Sequence, residues 1–282
     1  MSGINIYTLD FKFMSRLVMK FGGASVASLG DFEKCAKLIA ERREEFSQVV
    51  VVISAMKGST DYLIDLAKSV NSSPPPREYD MLLSVGERIS MSLLAMALES
   101  IHIQAISFTG SQGGIITSED HSQASIIDVN PRRIVAELEK KKVVIVAGFQ
   151  GVSEGREITT LGRGGSDTTA VALAVAISAQ KVEFYKDVPG IFDKDPKNEK
   201  MAARYPFLSY EQALQIVREG ACVLHERCLL LAAANAMPLH VRSFMDLKLK
   251  GTWIGASSER NFSPQARYET EKRVFAAHPL AP

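Results

Sequence analysis

Short apolar segments alternate with longer amphipathic segments along most of this 282-residue chain. The short segments predict β-strands at residues 17–21, 49–54, 103–108, 143–148, 182–185 and 239–242. Segment 49–54 is β-branched and apolar at almost every position, which is typical of a strand buried on both faces of a parallel sheet.

The longer segments predict helices at residues 31–46, 60–70, 81–100, 167–179, about 209–218 and about 224–236. Three prolines at 74–76 predict a rigid break, and Asn130-Pro131 predicts a helix start, with Asn130 as N-cap and Pro131 at the first helical position. Strands that alternate with helices are typical of crossover connections between parallel strands. The pattern therefore predicts an α/β protein with a mostly parallel sheet that is covered by helices on both faces. After Gly255 the pattern fades into a polar tail.

Composition and charge narrow the class of protein. Hydrophobic residues make up 46% of the chain and charged residues 23%, as in ordinary soluble globular proteins. The 33 basic and 32 acidic residues give a net charge of +1, so no global basic field indicates a nucleic-acid partner. The most apolar window, residues 170–179, is about half the length of a membrane span, so no membrane partner is expected.

Three cysteines, Cys35, Cys222 and Cys228, form no CxxC pair, so neither a zinc site nor a disulfide framework is indicated. The first seventeen residues carry charges and lack a long apolar stretch, which disfavours a secretory signal. Both observations predict a cytoplasmic location.

The first candidate site is the segment from Lys20 to Ser25, KFGGAS, at the end of the first predicted strand. Ligands of open α/β sheets bind beyond the carboxyl ends of the strands. Paired glycines such as Gly22 and Gly23 let backbone N–H groups approach phosphate oxygens, and the lysine adds positive charge. A plain glycine turn beside a solvated lysine explains the same residues.

The second candidate is the segment 159–170, TTLGRGGSDTTA, which leads into an apolar helix. Ser166 is expected to cap that helix, whose free N–H groups would attract an anion. Arg163 can hold a carboxylate in a bidentate manner, and a buried Asp167 would need a cation such as Lys20. A well-capped helix after a flexible loop is the simpler alternative.

Two further features are weaker. Segment 185–196, YKDVPGIFDKDP, has a Pro-Gly turn flanked by apolar residues that would shape an adenine pocket, or else is a surface turn. Glu87 lies in an apolar helical stretch and needs a partner, for which Arg88 is the simplest choice. His225 is expected to be a structural histidine.

Taken together, these segments resemble the aspartokinases of the amino acid kinase family. The resemblance rests on KFGGASVAS, VVISAMKGSTDYL, MLLSVGERIS, SFTGSQGG, DVNPRRI, VAGFQGV, TTLGRGGSDTTAVALA, YKDVPGIFDKDP and PLHVRS, which occur in the family's order over roughly residues 16–255. It implies an open three-layer αβα sandwich with a mostly parallel central sheet. It also implies transfer of the γ-phosphoryl group of Mg²⁺-bound ATP to the side-chain carboxylate of L-aspartate, the first step towards lysine, threonine and methionine.

The resemblance also implies a domain organisation. Residues 1–15 would be an N-terminal extension, residues 16–255 the catalytic domain, and residues 256–282 a tail in place of the usual regulatory ACT domains. Members of the family often dimerise, so a homo-oligomer is possible.

Residue roles follow from the same resemblance. Lys20 would neutralise the transferring phosphoryl group and Asp167 would orient Lys20. The expected substrate-binding residues are Thr60, Glu87, Phe149, Arg163 and Ser166, with Glu87 accepting the α-ammonium group and Arg163 clamping a carboxylate. The expected nucleotide-binding residues are Gly22, Gly23, Ser25, Ser54, Gly164, Gly165, Lys186, Asp187, Phe192 and Lys197. Mg²⁺ would be held mainly by ATP oxygens and water, with no protein metal site.

The sequence departs from the family pattern at several positions. Ala24 replaces the common Thr or Ser, and Phe192 replaces a frequent Tyr. Cys222 occupies the place of a usual lysine near the ATP phosphates, for which Lys197 is a candidate replacement. Cys222 therefore keeps open a non-catalytic or partner-dependent member of the family. A kinase acting on acetylglutamate, glutamate or a nucleoside monophosphate is the other alternative.

Overall fold

The structure is a computed structural model and describes residues 15–194, 196, 199, 201–221, 223–256 and 266–269. Its strands are β1 (Arg16–Phe21), β2 (Gln48–Ile53), β3 (Ala105–Phe108), β4 (Ile115–Thr117), β5 (Ile126–Val129), β6 (Val143–Ala147), β7 (Gln150–Ser153), β8 (Ile158–Thr160), β9 (Lys181–Lys186), β10 (Phe207–Ser209), β11 (Leu239–Ser243) and β12 (Thr252–Gly255). Its α-helices are α1 (Leu29–Glu45), α2 (Ser59–Val70), α3 (Pro76–Leu83), α4 (Val85–Ser100), α5 (Arg132–Glu139), α6 (Gly165–Ala176), α7 (Tyr210–Arg218) and α8 (Glu226–Ala234).

Eight strands form the central sheet, in the order β10-β12-β11-β9-β1-β2-β6-β3. All neighbouring pairs are parallel except β11 and β12. Strand β1 lies in the middle, with Lys20 opposite Val52 of β2 and Phe184 of β9. The predicted mostly parallel sheet is therefore confirmed, and it places the end of β1 at the centre of one sheet edge.

Each face of this sheet carries its own hydrophobic cluster. Val18 of β1 packs with α6 and α8 on one face, whereas Leu17 and Met19 pack with α1 and α4 on the other. Successive side chains of a strand point to opposite faces, so a strand covered on both sides is expected to be apolar at most positions. The burial of every residue of β2 shows the same arrangement. The predicted three-layer αβα sandwich is confirmed.

A second sheet of four short strands, in the order β5-β4-β7-β8, was not predicted. Its strands have only three or four residues each. Segments this short give no periodic pattern that separates a strand from a loop. Strand β8 leads directly into the glycine-rich segment before α6, so this sheet helps to position that segment.

The helix predicted at residues 81–100 is wrong in two respects. Helical structure begins earlier, at Pro76, which takes the first helical position of α3, and it is interrupted at Ser84. The apolar composition continues through the interruption, which hid it from sequence analysis. Two smaller differences concern Pro131, which precedes the first turn of α5 and does not open it, and α6, which begins at Gly165 and ends at Ala176.

Helices α3 and α4 together give one segment, Pro76–Ser100, that is long and apolar enough to cross a membrane by length and composition. Within the structure, 44% of its most apolar window is buried. Leu94 and Leu98 of α4 belong to a core cluster on the central sheet. A core helix passes the same test, so this segment is weak grounds for a membrane location.

Candidate active site

A cavity of about 950 Å³ opens at the carboxyl ends of β1 and β2 and at the amino end of α6. Lys20 contributes from β1, Ser54 follows β2, and Glu87 reaches in from α4. Phe149 lies between β6 and β7 with a positive φ of 68°, which is uncommon for a bulky residue. Strained backbone of this kind is concentrated at functional sites, and here it borders the cavity.

A buried ion pair lies at the bottom of the cavity. The Nζ atom of Lys20 is 2.6 Å from Oδ1 of Asp167, and Lys186 Nζ is 3.2 Å from Oδ2 of the same carboxylate. Burial raises the pKa of the Asp167 carboxyl, but the ammonium groups of Lys186 and Lys20 outweigh it and hold that pKa at about 2. Burial lowers the pKa of Lys20, against the attraction of Asp167. Two cations around one carboxylate leave this end of the cavity net positive.

The amino end of α6 borders the cavity beside this ion pair. Gly164 is the N-cap residue, with a φ of 72°. A Cβ atom there would lie 2.1 Å from the His225 ring, so both the backbone conformation and the space require glycine. The prediction that Ser166 caps the helix is wrong, because Ser166 lies inside the first turn. The N–H groups of that first turn have no intrahelical acceptor, which makes this end suitable for an anion.

Glu87 supplies a carboxylate at another wall of the cavity. Its Oε1 atom accepts a hydrogen bond from the Ala55 backbone N–H at 3.1 Å, and its Oε2 atom is buried without a hydrogen-bond partner in the structure. Burial raises the pKa of Glu87 to about 7, against the Ala55 hydrogen bond and the attraction of Lys20. The expected partner, Arg88, makes no such contact. A buried carboxylate oxygen with no partner points to a cationic ligand.

Most of the predicted site residues lie together in this cavity. The lining includes Lys20, Gly23, Ser54, Thr60, Glu87, Phe149, Arg163, Gly164, Gly165, Ser166 and Asp167. Gly22 lies beside the Lys20 ammonium group, and Lys186 reaches Asp167 from β9. Their roles stay predictions, but one cavity unites residues that are up to 147 positions apart in sequence.

Other predicted nucleotide-binding residues lie outside the cavity lining. Ser25 is buried, and its hydroxyl donates to the Tyr185 carbonyl at 3.0 Å, which ties the glycine turn to β9. Asp187 is exposed just after β9. Phe192 pairs with Arg204 through a single antiparallel β-bridge outside the two sheets. Lys197 and Cys222 lie outside the described residues.

Sequence analysis missed several residues of the cavity wall. Ser122, Gln123 and Ser125 come from the loop before β5, and His225 and Arg227 come from the start of α8. His225 does have the expected structural role, because its Nδ1 atom accepts from the Arg227 backbone N–H at 3.4 Å. No local pattern marks these residues, since only the tertiary fold brings their loops to the site.

Asp80 of α3 holds two parts of this wall together. It is completely buried, and its carboxylate accepts from the Thr160 hydroxyl at 2.6 Å and from the Ser122 backbone N–H at 2.9 Å. His121 Nδ1 lies 2.9 Å from the same carboxylate. One buried carboxylate therefore joins α3 to the loop before β5 and to the end of β8.

Comparison with known proteins places the chain in a family. The profile of the amino acid kinase family matches residues 15–243, so the chain belongs to the amino acid kinase family. It is similar to the aspartokinase of Mycolicibacterium smegmatis, with 49% identity over 247 residues that make up 87% of this chain and 58% of that protein. The chain thus spans less than two thirds of the length of this curated relative.

Solved structures agree with this assignment. Aspartate kinase from Synechocystis is 41% identical with a TM-score of 0.77, and the match covers 88% of this chain and 41% of that one. Aspartokinase III of E. coli, solved in complex with aspartate and ADP, is 27% identical with a TM-score of 0.79, over 87% of this chain and 66% of that one. Both the fold and the family expected from the sequence are confirmed.

Proposed function

We propose that this protein is an aspartate kinase, which transfers the γ-phosphoryl group of ATP to the side-chain carboxylate of L-aspartate. The observation that carries the proposal is one cavity with opposite electrostatic ends. The buried Lys20–Asp167 pair and Lys186 make one end positive, and the Glu87 carboxylate, with its unpartnered oxygen, makes another wall negative when it is ionised. A polyphosphate and an amino acid with a free ammonium group need such a combination.

The positive end suits the phosphates of ATP. The Gly22–Gly23 turn and the first turn of α6 offer backbone N–H groups, and Lys20 supplies a charge that Asp167 holds in place. Gly165 contributes by closing the turn before them, because its N–H donates to the Gly162 carbonyl at 3.1 Å. Ser25 contributes by anchoring the glycine turn to β9. The nucleoside would lie towards Asp187 and Phe192, beyond the end of β9.

The wall around Glu87 suits the acceptor. The Glu87 carboxylate would bind the α-ammonium group of aspartate, and Arg163, which is exposed at the cavity rim, would bind a carboxylate. The other acceptor-binding residues in this proposal are Thr60, Phe149 and Ser166, and Ser54, at the end of β2 beside them, is assigned to the nucleotide.

The proposed reaction needs correct positioning of the two substrates and charge neutralisation, but no general base. An aspartate side chain is already ionised at neutral pH, so it attacks phosphorus without a general base. The catalytic task is to bring two anions together and to neutralise charge on the transferring group, which Lys20 does from a fixed position. Here Lys20 is the catalytic residue, and Asp167 positions it.

Mg²⁺ belongs to the proposal as an ion carried by ATP. Within the described residues, no group of three or more His, Cys, Asp or Glu side chains is arranged to hold a metal ion. Both oxygens of Asp167 are already next to lysine ammonium groups. The cavity therefore leaves the coordination of Mg²⁺ to phosphate oxygens and water, and an ion bound in that way would neutralise phosphate charge.

The wider biological setting follows from the proposed activity. The reaction would open the route to lysine, threonine and methionine in the cytoplasm, with residues 16–255 as the catalytic unit and a homo-oligomer as a possible assembly. The E. coli relative was solved with aspartate and ADP, which supports aspartate as acceptor and an adenine nucleotide as the other ligand here. Nothing in the comparisons favours a non-catalytic member of the family.

An acceptor panel tests the proposal. ADP release would be measured with ATP and Mg²⁺ in the presence of L-aspartate, L-glutamate, N-acetylglutamate or UMP. Turnover with L-aspartate that exceeds every other acceptor by at least about 100-fold, the discrimination expected from a site built around specific polar contacts, supports the proposal. Preference for another acceptor, or no turnover by folded protein, would contradict it.

A further inference from the structure

A short segment beyond the family-matched residues returns to the site. Residues 266–269 lie past β12, the last strand of the central sheet, and past residue 243, where the family profile ends. Tyr268 is buried and belongs to the main hydrophobic cluster. The Glu269 backbone N–H donates to the carbonyl of Ile126, at the start of β5, and the Ile126 N–H donates to the Glu269 carboxylate. This stretch is therefore packed into the fold, although the sequence there predicts only a tail.

Glu269 forms a bidentate ion pair with Arg227 of α8. Arg227 Nε is 2.7 Å from Oε1 of Glu269, and Nη2 is 2.8 Å from Oε2. The exposed fraction of the Glu269 side chain is 9% and that of Arg227 is 26%. The parallel geometry fixes the plane of the guanidinium group, which a single contact to an ammonium group would not do.

The remaining N–H groups of Arg227 bind two loops of the cavity wall. Nη1 donates to the Leu161 carbonyl, and Nη2 also donates to the Ala124 carbonyl at 2.8 Å. Leu161 directly precedes the Gly162-Arg163-Gly164 segment. Ala124 lies between two residues of the loop that lines the cavity. One guanidinium group thus holds both loops at the same time.

Leu161 is also held from its other side. Its backbone N–H donates to the Phe149 carbonyl at 2.8 Å. The peptide that leads to Arg163 is therefore fixed between Phe149 and Arg227, and both Phe149 and Arg163 belong to the proposed acceptor wall. By contrast, no hydrogen bond or ion pair within the described residues joins Arg227 to the Lys20–Asp167 pair or to the glycine turn after β1.

We propose that Arg227 is a positioning residue for the acceptor wall and that Glu269 holds Arg227 in its working orientation. The inference rests on the proposed aspartate kinase activity for its kinetic readout. Loss of the Glu269 carboxylate frees the guanidinium group to rotate away from the two carbonyls. The loop that carries Arg163 then samples more conformations, and the acceptor binds more weakly while ATP binds as before.

The test compares Glu269→Gln with a matched control at the same segment. Asn235 of α8 also holds this segment, through two hydrogen bonds with the Arg267 backbone, but it touches neither cavity loop. Glu269→Gln is expected to raise the KM for aspartate about tenfold, the scale of one lost charge-assisted hydrogen bond, with less than a twofold change in the KM for ATP. Asn235→Ala is expected to leave both KM values within twofold.

A double-mutant cycle adds a second readout. Arg227→Lys keeps the charge but loses the planar geometry, so it should raise the KM for aspartate as Glu269→Gln does, and the combined variant should be no worse than either single variant. Equal effects of Asn235→Ala and Glu269→Gln, or equal changes in both KM values, would overturn the inference. Additive effects of Glu269→Gln and Arg227→Lys on the KM for aspartate would also overturn the inference.

Hydrogen exchange separates this inference from the proposed activity. Amides of residues 161–163, which precede the N-cap of α6, should exchange faster in Glu269→Gln than in the wild-type protein or in Asn235→Ala. Absence of aspartate turnover in the wild-type protein, with this exchange difference present, would contradict the activity but not the role of Arg227. Unchanged exchange in an active enzyme would contradict the role of Arg227.

Discussion

The Lys20 ammonium group and the Asp167 carboxylate lie 2.6 Å apart, with only 6% and 8% of the two side chains exposed. Strand β1 delivers the lysine and the first turn of α6 delivers the aspartate, so the contact joins the centre of the sheet to the glycine-rich segment. Lys186 touches the same carboxylate from β9. Asp167 thus lets two lysines share one buried site, and the surplus positive charge faces the cavity.

Removal of the Lys20 ammonium group is expected to abolish most turnover. Lys20→Met keeps the aliphatic stem, and Lys186 still partners Asp167, so the fold should persist. Loss of a fixed cation at the transferring phosphoryl group should lower kcat by about 10³-fold or more. Steady-state kinetics measures this effect, with circular dichroism to check folding.

The control for Lys20→Met is Lys34→Met on the exposed surface of α1. Among the described residues, the ion-pair partner of Lys34 is Asp31, in an exposed i, i+3 contact. Such pairs contribute little, so kcat should stay within twofold of the wild-type value. Near-normal turnover of Lys20→Met would contradict the catalytic role of Lys20.

Ionisation of Glu87 is expected to control aspartate binding near neutral pH. Burial raises the pKa of Glu87 to about 7, so the carboxylate that attracts the substrate ammonium group forms only as the pH rises through that value. The kcat/KM for aspartate should therefore rise about tenfold per pH unit below pH 7 and level off above it. In Glu87→Gln, kcat/KM should lack this step, lie below the wild-type value above pH 7 and approach it as the pH falls.

The same shift has a consequence for stability. The pKa of Glu87 is 4.5 in the unfolded chain and about 7 in the folded chain, so the folded state binds the Glu87 proton more tightly. Ionised Glu87 costs about 3 kcal/mol above pH 7, and this cost vanishes below pH 4.5. Urea unfolding between pH 5 and 8 should show this loss in the wild-type protein, and Glu87→Gln should reduce it. Identical pH slopes in both proteins would contradict the raised pKa.

Gly164 is expected to tolerate no side chain. Gly164→Ala forces an alanine into a positive φ of 72° and places its Cβ atom against the His225 ring. The free energy of unfolding should fall by about 3 kcal/mol or more, or the loop before α6 should shift and activity should be lost. Chemical denaturation and steady-state kinetics measure these two outcomes.

Gly30 of α1 offers the matched control for that substitution. A Cβ atom at Gly30 meets nothing within 4 Å, and the residue lies in a helix. Gly30→Ala should therefore stabilise the protein by about 0.5–1 kcal/mol and leave kcat unchanged. Equal effects of the two substitutions would show that Gly164 is not constrained.

Asp80 is expected to be a major contributor to stability although it lies outside the cavity lining. Asp80→Asn keeps the shape but replaces one acceptor oxygen with an NH2 donor. That donor would face the N–H and O–H donors of Ser122 and Thr160 and leave one of them unsatisfied. The free energy of unfolding should fall by about 3 kcal/mol. Asp65→Asn, on the exposed side of α2, should change it by less than about 0.5 kcal/mol. Similar values for both variants would contradict the importance of the Asp80 network.

The parts of the fold that sequence predicted are the ones with long patterns. Strands such as β1 and β2 are six residues long and mostly apolar, so their place in a parallel sheet was evident. The strands of the second sheet are too short to leave a pattern, and apolar composition on both sides of Ser84 concealed the end of α3. Periodicity records burial along an element but not an interruption between two buried elements.

The residues of the candidate site also divide into those that the sequence predicted and those that it did not. Lys20 and Asp167 were found because glycines flank them in sequence. Asp80, Arg227 and Glu269 act through contacts between distant segments, such as the contact from Asp80 to Thr160, 80 residues away. Some of their partners are backbone groups, which have no sequence signature, and the others are side chains of distant segments, such as Glu269 for Arg227. Three-dimensional structure was needed to find them.

The most direct measurement is ATP- and Mg²⁺-dependent formation of aspartyl hydroxamate from L-aspartate and hydroxylamine, run in parallel on the wild-type protein and Lys20→Met. Hydroxylamine traps an acyl phosphate, so the product reports phosphoryl transfer to a carboxylate specifically. Hydroxamate from the wild-type protein and at least about 10³-fold less from folded Lys20→Met is the expected result. Absence of hydroxamate from the folded wild-type protein, or equal yields from both proteins, would contradict phosphoryl transfer to aspartate at this site.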